Sequence, residues 1–226
     1  VMCSEPNAVP QLAIAVVTLD GDVYAAGDAD VEFTIQSISK PFSYALAIAD
    51  QGLDAVLEKI DVEPSGDAFN EFSLDADTGR PRNPMINAGA ITAHALVRGE
   101  DADARMNRIL DFYSRLAGRD LAIAEDVLAS ELSAADRNTA LAYMLRTVGV
   151  LDGPALDAVQ GYTRQCAVSV TVRDLARMAA VLAAGGVTPS GERLLDPDVN
   201  RQVLSVMTTC GMYNSAGDWL TTVGIP

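Results

Sequence analysis

An aspartate-glycine pair, Asp20-Gly21, divides two short apolar and partly β-branched runs, Leu12–Leu19 and Val23–Ala26. Such a pair between two apolar runs is the strongest short-range hairpin signal in the chain, because an Asp-Gly turn has the twist that closes two neighbouring strands. The N-terminal part is therefore expected to be an antiparallel hairpin. Beyond residue 86 the apolar spacing is almost wholly helical, over roughly 88–98, 101–117, 134–148, 172–184 and 196–208. Leu175, Met178, Ala179 and Leu182 mark one buried stripe.

An earlier helix follows Ser37, where Phe42, Ala45, Leu46 and Ala49 recur at helical spacing and Gly52 supplies the stop. Pro41 fixes its start at about Ser37 to Ser39, since proline lacks the N–H needed past the first turn. Ser133 followed by Asp136 reads as a capping box and predicts another helix N-terminus between Glu131 and Asn138. Residues 61–86 are rich in Pro, Gly, Asp and Asn and end in GRPRNPMIN. A stretch of that length without regular structure inside a compact domain is more often functional than idle, and it is expected to wrap over a site. With no internal repeat, low-complexity linker or clean boundary, 1–226 is read as a single domain.

Nearly half the residues are apolar, enough for a full core, while the formal net charge of -15 argues against a nucleic-acid or anionic membrane surface as partner. A small molecule is the better prior. Cys3, Cys166 and Cys210 are odd in number and lack C-x-x-C spacing, so neither a disulfide framework nor a zinc site is indicated, and reduced, mostly buried thiols are expected. No basic n-region with an apolar h-region opens the chain, and runs such as Leu12–Val17 are too short to span a bilayer, which predicts a cytoplasmic address. The chain begins at Val1 and stops at Pro226 just after a polar segment, so either end is read as open to extension.

The basic residues are 14 arginines and only two lysines, Lys40 and Lys59. A guanidinium cannot give up its proton in a protein but a flanked or buried ammonium can, so Lys40, three positions after Ser37, stands out as a proton acceptor. At i and i+3 the two side chains share one helix face, and a helix N-terminus disfavours an ammonium while offering free N–H groups to an oxyanion. Ser37 and Lys40 thus read as a nucleophile and its base. A Ser-His-Asp system ranks well below, because His94 is the only histidine and lies in the apolar segment INAGAITAHALV, where a structural role is more common. Neither a transition-metal cluster, a calcium loop nor a phosphate-binding glycine loop is present in the pattern.

The strings GDVYAAGDADVEFTIQSISKPFSYALAIADQG, RPRNPMINAGAI, DRNTALAYMLRTVGVL, GYTRQCAVSVTVRDLARMAAVLAAGGV and VLSVMTTCGMYNSAGDW closely resemble, in order, the glutaminases of the serine-dependent, β-lactamase-like type. The resemblance implies an α+β fold of the serine β-lactamase/transpeptidase kind, an antiparallel sheet flanked by helices beside a helical subdomain. It implies hydrolysis of L-glutamine to L-glutamate and ammonia without metal or organic cofactor, by homodimers or homotetramers. It also assigns residues: Ser37 as nucleophile, Lys40 as general base, and Asn87, Glu131, Asn138, Tyr162 and Tyr213 as substrate-site positions. Glu131, the only anion among them, is expected to face the α-ammonium of glutamine. Asn87, Asn138 and Tyr162 would hydrogen-bond its polar ends, and Tyr213 would help protonate the departing ammonia.

Two departures from the family pattern stand out. The segment VMCSEPNAVPQ has no counterpart of the family tyrosine that closes over substrate, and the K-S-G-V-type strand that follows V-G-x-P, a source of an oxyanion donor and of the sheet centre, would lie beyond Pro226. Loss of one such donor costs on the order of 10²-fold in rate. The alternatives on the same scaffold are a β-lactamase or transpeptidase-like acyl-transfer enzyme and a non-catalytic glutamine-binding sensor.

Overall fold

A computed structural model describes residues 11–224; Cys3 and Pro226 lie outside them. The Asp20-Gly21 turn closes the expected hairpin, in which β1 (Ala13–Val17) runs antiparallel to β2 (Val23–Gly27) with Val17 opposite Val23. Two 3.0 Å backbone bonds, Gly21 N–H to Thr18 and Thr18 N–H to Asp22, lock the turn. After the hairpin come β3 (Phe33–Thr34), a 3-10 turn (Gln36–Ser39), α1 (Lys40–Gln51), α2 (Leu53–Leu57) and, past a long loop, α3 (Asn87–Leu96). Then follow α4 (Ala102–Ala117), β4 (Ala122–Ile123), α5 (Glu125–Ser133), α6 (Asp136–Thr147), α7 (Ala155–Cys166) and β5 (Val168–Val170). The chain continues through α8 (Val172–Ala183), α9 (Pro197–Cys210), a second 3-10 turn (Tyr213–Ser215) and α10 (Ala216–Val223). β5 is the middle of a second small sheet, antiparallel to both β3 and β4, so the fold is α+β with antiparallel strands set among helices.

α1 is the axis. Ten of its twelve residues are buried, among them Phe42, Tyr44, Leu46 and Ile48, and a helix that is apolar nearly all round belongs in an interior. Around it α4, α8, α9 and β5 supply one apolar cluster, including Ile109, Tyr113, Val170, Met178 and Val203. A second cluster forms between α3, α6 and α7 from Ile86, Ile91, Leu141, Leu145, Val159 and Tyr162. Asp50, buried beside the first cluster, is paired: it accepts from Arg108 Nε and from the Arg98 N–H, both at 2.9 Å. Among the described residues no helix is long and apolar enough to cross a membrane.

Five of the expected helices are present within two residues at each end, as α3, α4, α6, α8 and α9. α2, α5, α7 and α10 were not read from the sequence. α7 escapes the periodic reading because Gly161 sits in its middle, where glycine is a poor helix former. The Ser133 capping box is a correction. Ser133 is the last residue of α5 and its hydroxyl donates back to Ser130 O at 2.6 Å, while α6 starts after Ala135 with no side-chain cap. The capping box in the fold is Thr171 with Asp174, at the start of α8.

Candidate active site

The 3-10 turn that leads into α1 sets the site. Gln36 enters it at φ 50°, a left-handed conformation uncommon for a residue with a side chain, and its amide donates to Thr34 Oγ1 at 3.0 Å. In a 3-10 turn side chains three apart eclipse, so Ser37 and Lys40 leave the backbone on one side. Ser37 is exposed and lines a cavity of about 630 Å³, whereas Lys40, 1% exposed, lies beneath the lining. The Lys40 ammonium donates to Asn87 Oδ1 at 2.8 Å and stands over two aromatic rings, 5.5 Å from the Phe69 centroid and 5.7 Å from that of Tyr213. Burial pulls its pKa down to about 8, against a smaller upward pull from Cys166; the ring faces also favour the cation.

Asn87 begins α3 and closes the long loop onto the site. Its N–H donates to Phe69 O at 2.8 Å and its Nδ2 to Asn138 Oδ1 at 2.9 Å, so the amide spans Lys40 and Asn138. The loop end is shaped by Asn83, whose Oδ1 accepts the N–H groups of Met85 and Ile86 at 3.0 and 3.2 Å. Gly89 is required there, because a Cβ would lie 2.0 Å from Asn83 O.

Tyr162 and Cys166, one turn apart on α7, form another wall. Burial raises the Tyr162 phenol well above its usual range, Cys166 adds to this, and the nearby Ser37 hydroxyl opposes it. The Cys166 thiol is likewise pushed up to about 11 by burial. Glu131 lies at the end of α5 within 3.5 Å of Gln36 Nε2, and Asn138 faces it from α6; both line the cavity with Asp126.

Six of the seven sequence-derived residues are thus gathered: Ser37, Asn87, Glu131, Asn138 and Tyr162 in the lining, with Lys40 under it. Tyr213 is placed differently. It is not in the lining; at φ 52° it packs its ring on Phe69, centroids 5.9 Å apart, and donates its hydroxyl to Met85 O at 3.1 Å. A hydrogen bond between the Lys40 amine and the Ser37 hydroxyl, expected from the spacing, is also absent among the described residues; the amine is given to Asn87 instead. Sequence reading missed Phe69, Gln36 and Asp126 and left Cys166 among structural thiols. Phe69 had one signal, an aromatic within the loop expected to wrap the site.

Comparison with known proteins places this geometry. The family model Glutaminase matches residues 6–226. The glutaminase of Corynebacterium glutamicum is 54% identical over 226 residues, 99% of this chain and 54% of its own length; that of Corynebacterium efficiens is 52% identical, covering 53% of its own length. The chain therefore spans about half the length of these relatives. Among solved structures, Mglu in its tris and glutamate form superposes with a TM-score of 0.92 at 51% identity, over 97% of this chain and 50% of that one. The probable glutaminase of Bacillus subtilis gives 0.91 at 39% identity, over 94% and 69%. A match that runs through all the motifs, with about half the positions shared over nearly the whole chain, makes this protein a member of the glutaminase family.

Proposed function

We propose that the protein hydrolyses L-glutamine to L-glutamate and ammonia through an acyl-enzyme on Ser37, with Lys40 as general base. The observation that carries this is a serine in the wall of an open cavity with a desolvated amine, pKa about 8, three residues on and just behind it. Support comes also from the glutaminase relatives and from the glutamate form of Mglu.

In this reading neutral Lys40 accepts the Ser37 proton as Oγ attacks the side-chain amide carbon of glutamine. Hydrogen bonds at a reacting centre often tighten only with substrate bound, and Asn87 holds the amine ready meanwhile. The Ser37 N–H, in the first turn, donates to the oxyanion. Collapse expels the amide nitrogen, which takes the proton and leaves as ammonia; water then cleaves the γ-glutamyl ester with the same groups in reverse. Glu131 receives the α-ammonium, Asn138 and Tyr162 hydrogen-bond the substrate's polar ends, and Asn87 joins Lys40 to them. Tyr213 acts through its ring on Lys40, and reaching the departing ammonia would require it to exchange its bond to Met85. Homodimeric or homotetrameric assembly and a cytoplasmic address belong to the same reading, to be checked by sedimentation and fractionation.

Incubation with L-glutamine, L-asparagine and a β-lactam in parallel, following ammonia and intact mass, tests it. Wild type should release ammonia from glutamine, and Ser37→Ala should abolish release with circular dichroism unchanged. Substantial turnover by Ser37→Ala, or β-lactam acylation without ammonia from glutamine, overturns it.

A further inference from the structure

Under the turn that carries Ser37 and Lys40 runs a line of buried polar side chains that the proposed chemistry does not use. His94 on α3 is 1% exposed and places Nδ1 3.1 Å from Gln165 Oε1. Gln165, fully buried on α7, donates Nε2 to Ser39 Oγ at 2.9 Å. Ser39 sits between Ser37 and Lys40 in the turn, and its carbonyl accepts the Tyr113 hydroxyl of α4 at 2.9 Å. Two helices, α7 and α4, thus hold one residue of the turn by hydrogen bonds, and α3 braces the first of them through His94.

The direction of these bonds points to one state of the imidazole. With the Gln165 NH₂ turned to Ser39, its carbonyl oxygen faces His94, an arrangement that pairs with a proton on Nδ1. Nε2 then bears a lone pair, and it makes no hydrogen bond among the described residues. It abuts Gly161, where a Cβ would come within 2.1 Å of it. An apolar side chain in this pocket would avoid a bare buried nitrogen. The imidazole is kept, and a glycine in mid-helix makes room for it.

We propose that His94 is a positioning residue for the reaction at Ser37: as the neutral Nδ1–H tautomer it orients the Gln165 amide, which holds Ser39 and thereby the turn that sets Ser37 beside Lys40. The proposal rests on the reading of Ser37 and Lys40 given above. Without the imidazole the amide loses the partner that decides which of its ends meets Ser39, and the turn loosens at its centre. Glu131 and Asn138, on α5 and α6, take no part in this line of bonds, so the effect falls chiefly on turnover.

The test compares the full chain with His94→Leu and His94→Asn, the second because an amide N–H can reach Gln165 from nearly the Nδ1 position. His94→Leu should lower kcat about 10-fold or more with KM within about 2-fold, and His94→Asn should recover most of the loss. Because the chain has one histidine, imidazole ¹⁵N shifts report its tautomer without assignment and should show the neutral Nδ1–H form even if a variant folds poorly. Unchanged kcat in His94→Leu, no recovery in His94→Asn, or the Nε2–H form overturns the positioning role alone. A wild type that releases no ammonia, or an active Ser37→Ala, overturns the underlying reading instead.

Discussion

Lys40 combines two costs that point the same way. A buried amine with pKa about 8, against the ordinary 10.5, is neutral in roughly one molecule in ten at pH 7. Turnover per KM should therefore rise with pH along a limb centred near 8, and Lys40→Arg should be inactive, since a guanidinium keeps its proton. The sign for stability follows from the same shift. Between pH 8 and 10.5 the unfolded chain binds the proton that the folded one has lost, so stability rises with pH in that window and the deficit is in full force below 8, at about 3 kcal/mol by linkage. Lys40→Met should raise the thermal midpoint at pH 7 while abolishing ammonia release; a lower midpoint would show that the bond to Asn87 and the two rings outweigh desolvation. The serine-lysine pair was legible because both residues lie in one turn. Asn87 as the amine's partner was not, since 47 residues of chain separate them and only the folded loop brings them together.

At the level of elements, α7 shows how a local rule yields to packing. Gly161→Ala would gain about 1 kcal/mol of helix propensity, yet its Cβ would strike His94, so the variant should be less stable by about 1–3 kcal/mol in denaturant melts. Pairing it with His94→Ala should recover much of the loss, a coupling that a double-mutant cycle measures. The two capping-box candidates make the same point. Ser133-Ala134-Ala135-Asp136 and Thr171-Val172-Arg173-Asp174 have the same pattern, but only the second begins a helix with a free hydroxyl, because α5 runs through Ser133. α5 packs on α7, a contact that no window of four residues contains. The hairpin and the five long periodic helices needed no such knowledge, and they were legible.

In the molecule as a whole, the hairpin is open on one face. Its small residues Ala13, Ala15 and Ala25 are half-buried toward α8 or nearly so, while Ile14, Val16 and Tyr24 face outward at 65%, 55% and 62% exposure. An apolar strand pair open on one face is adhesive despite the net charge of -15. Ile14→Thr with Val16→Lys should reduce binding of a hydrophobic dye and concentration-dependent association, with no change in the active-site region.

The rings that flank Lys40 come from opposite parts of the chain, Phe69 from the loop before α3 and Tyr213 from the turn after α9. Either segment swinging away would let water reach the amine and return it toward its solution behaviour, cutting the neutral fraction at pH 7 by up to ~300-fold. If Lys40 is the base proposed above, a gaping site would thus disarm itself, since the amine would hold its proton once water reached it.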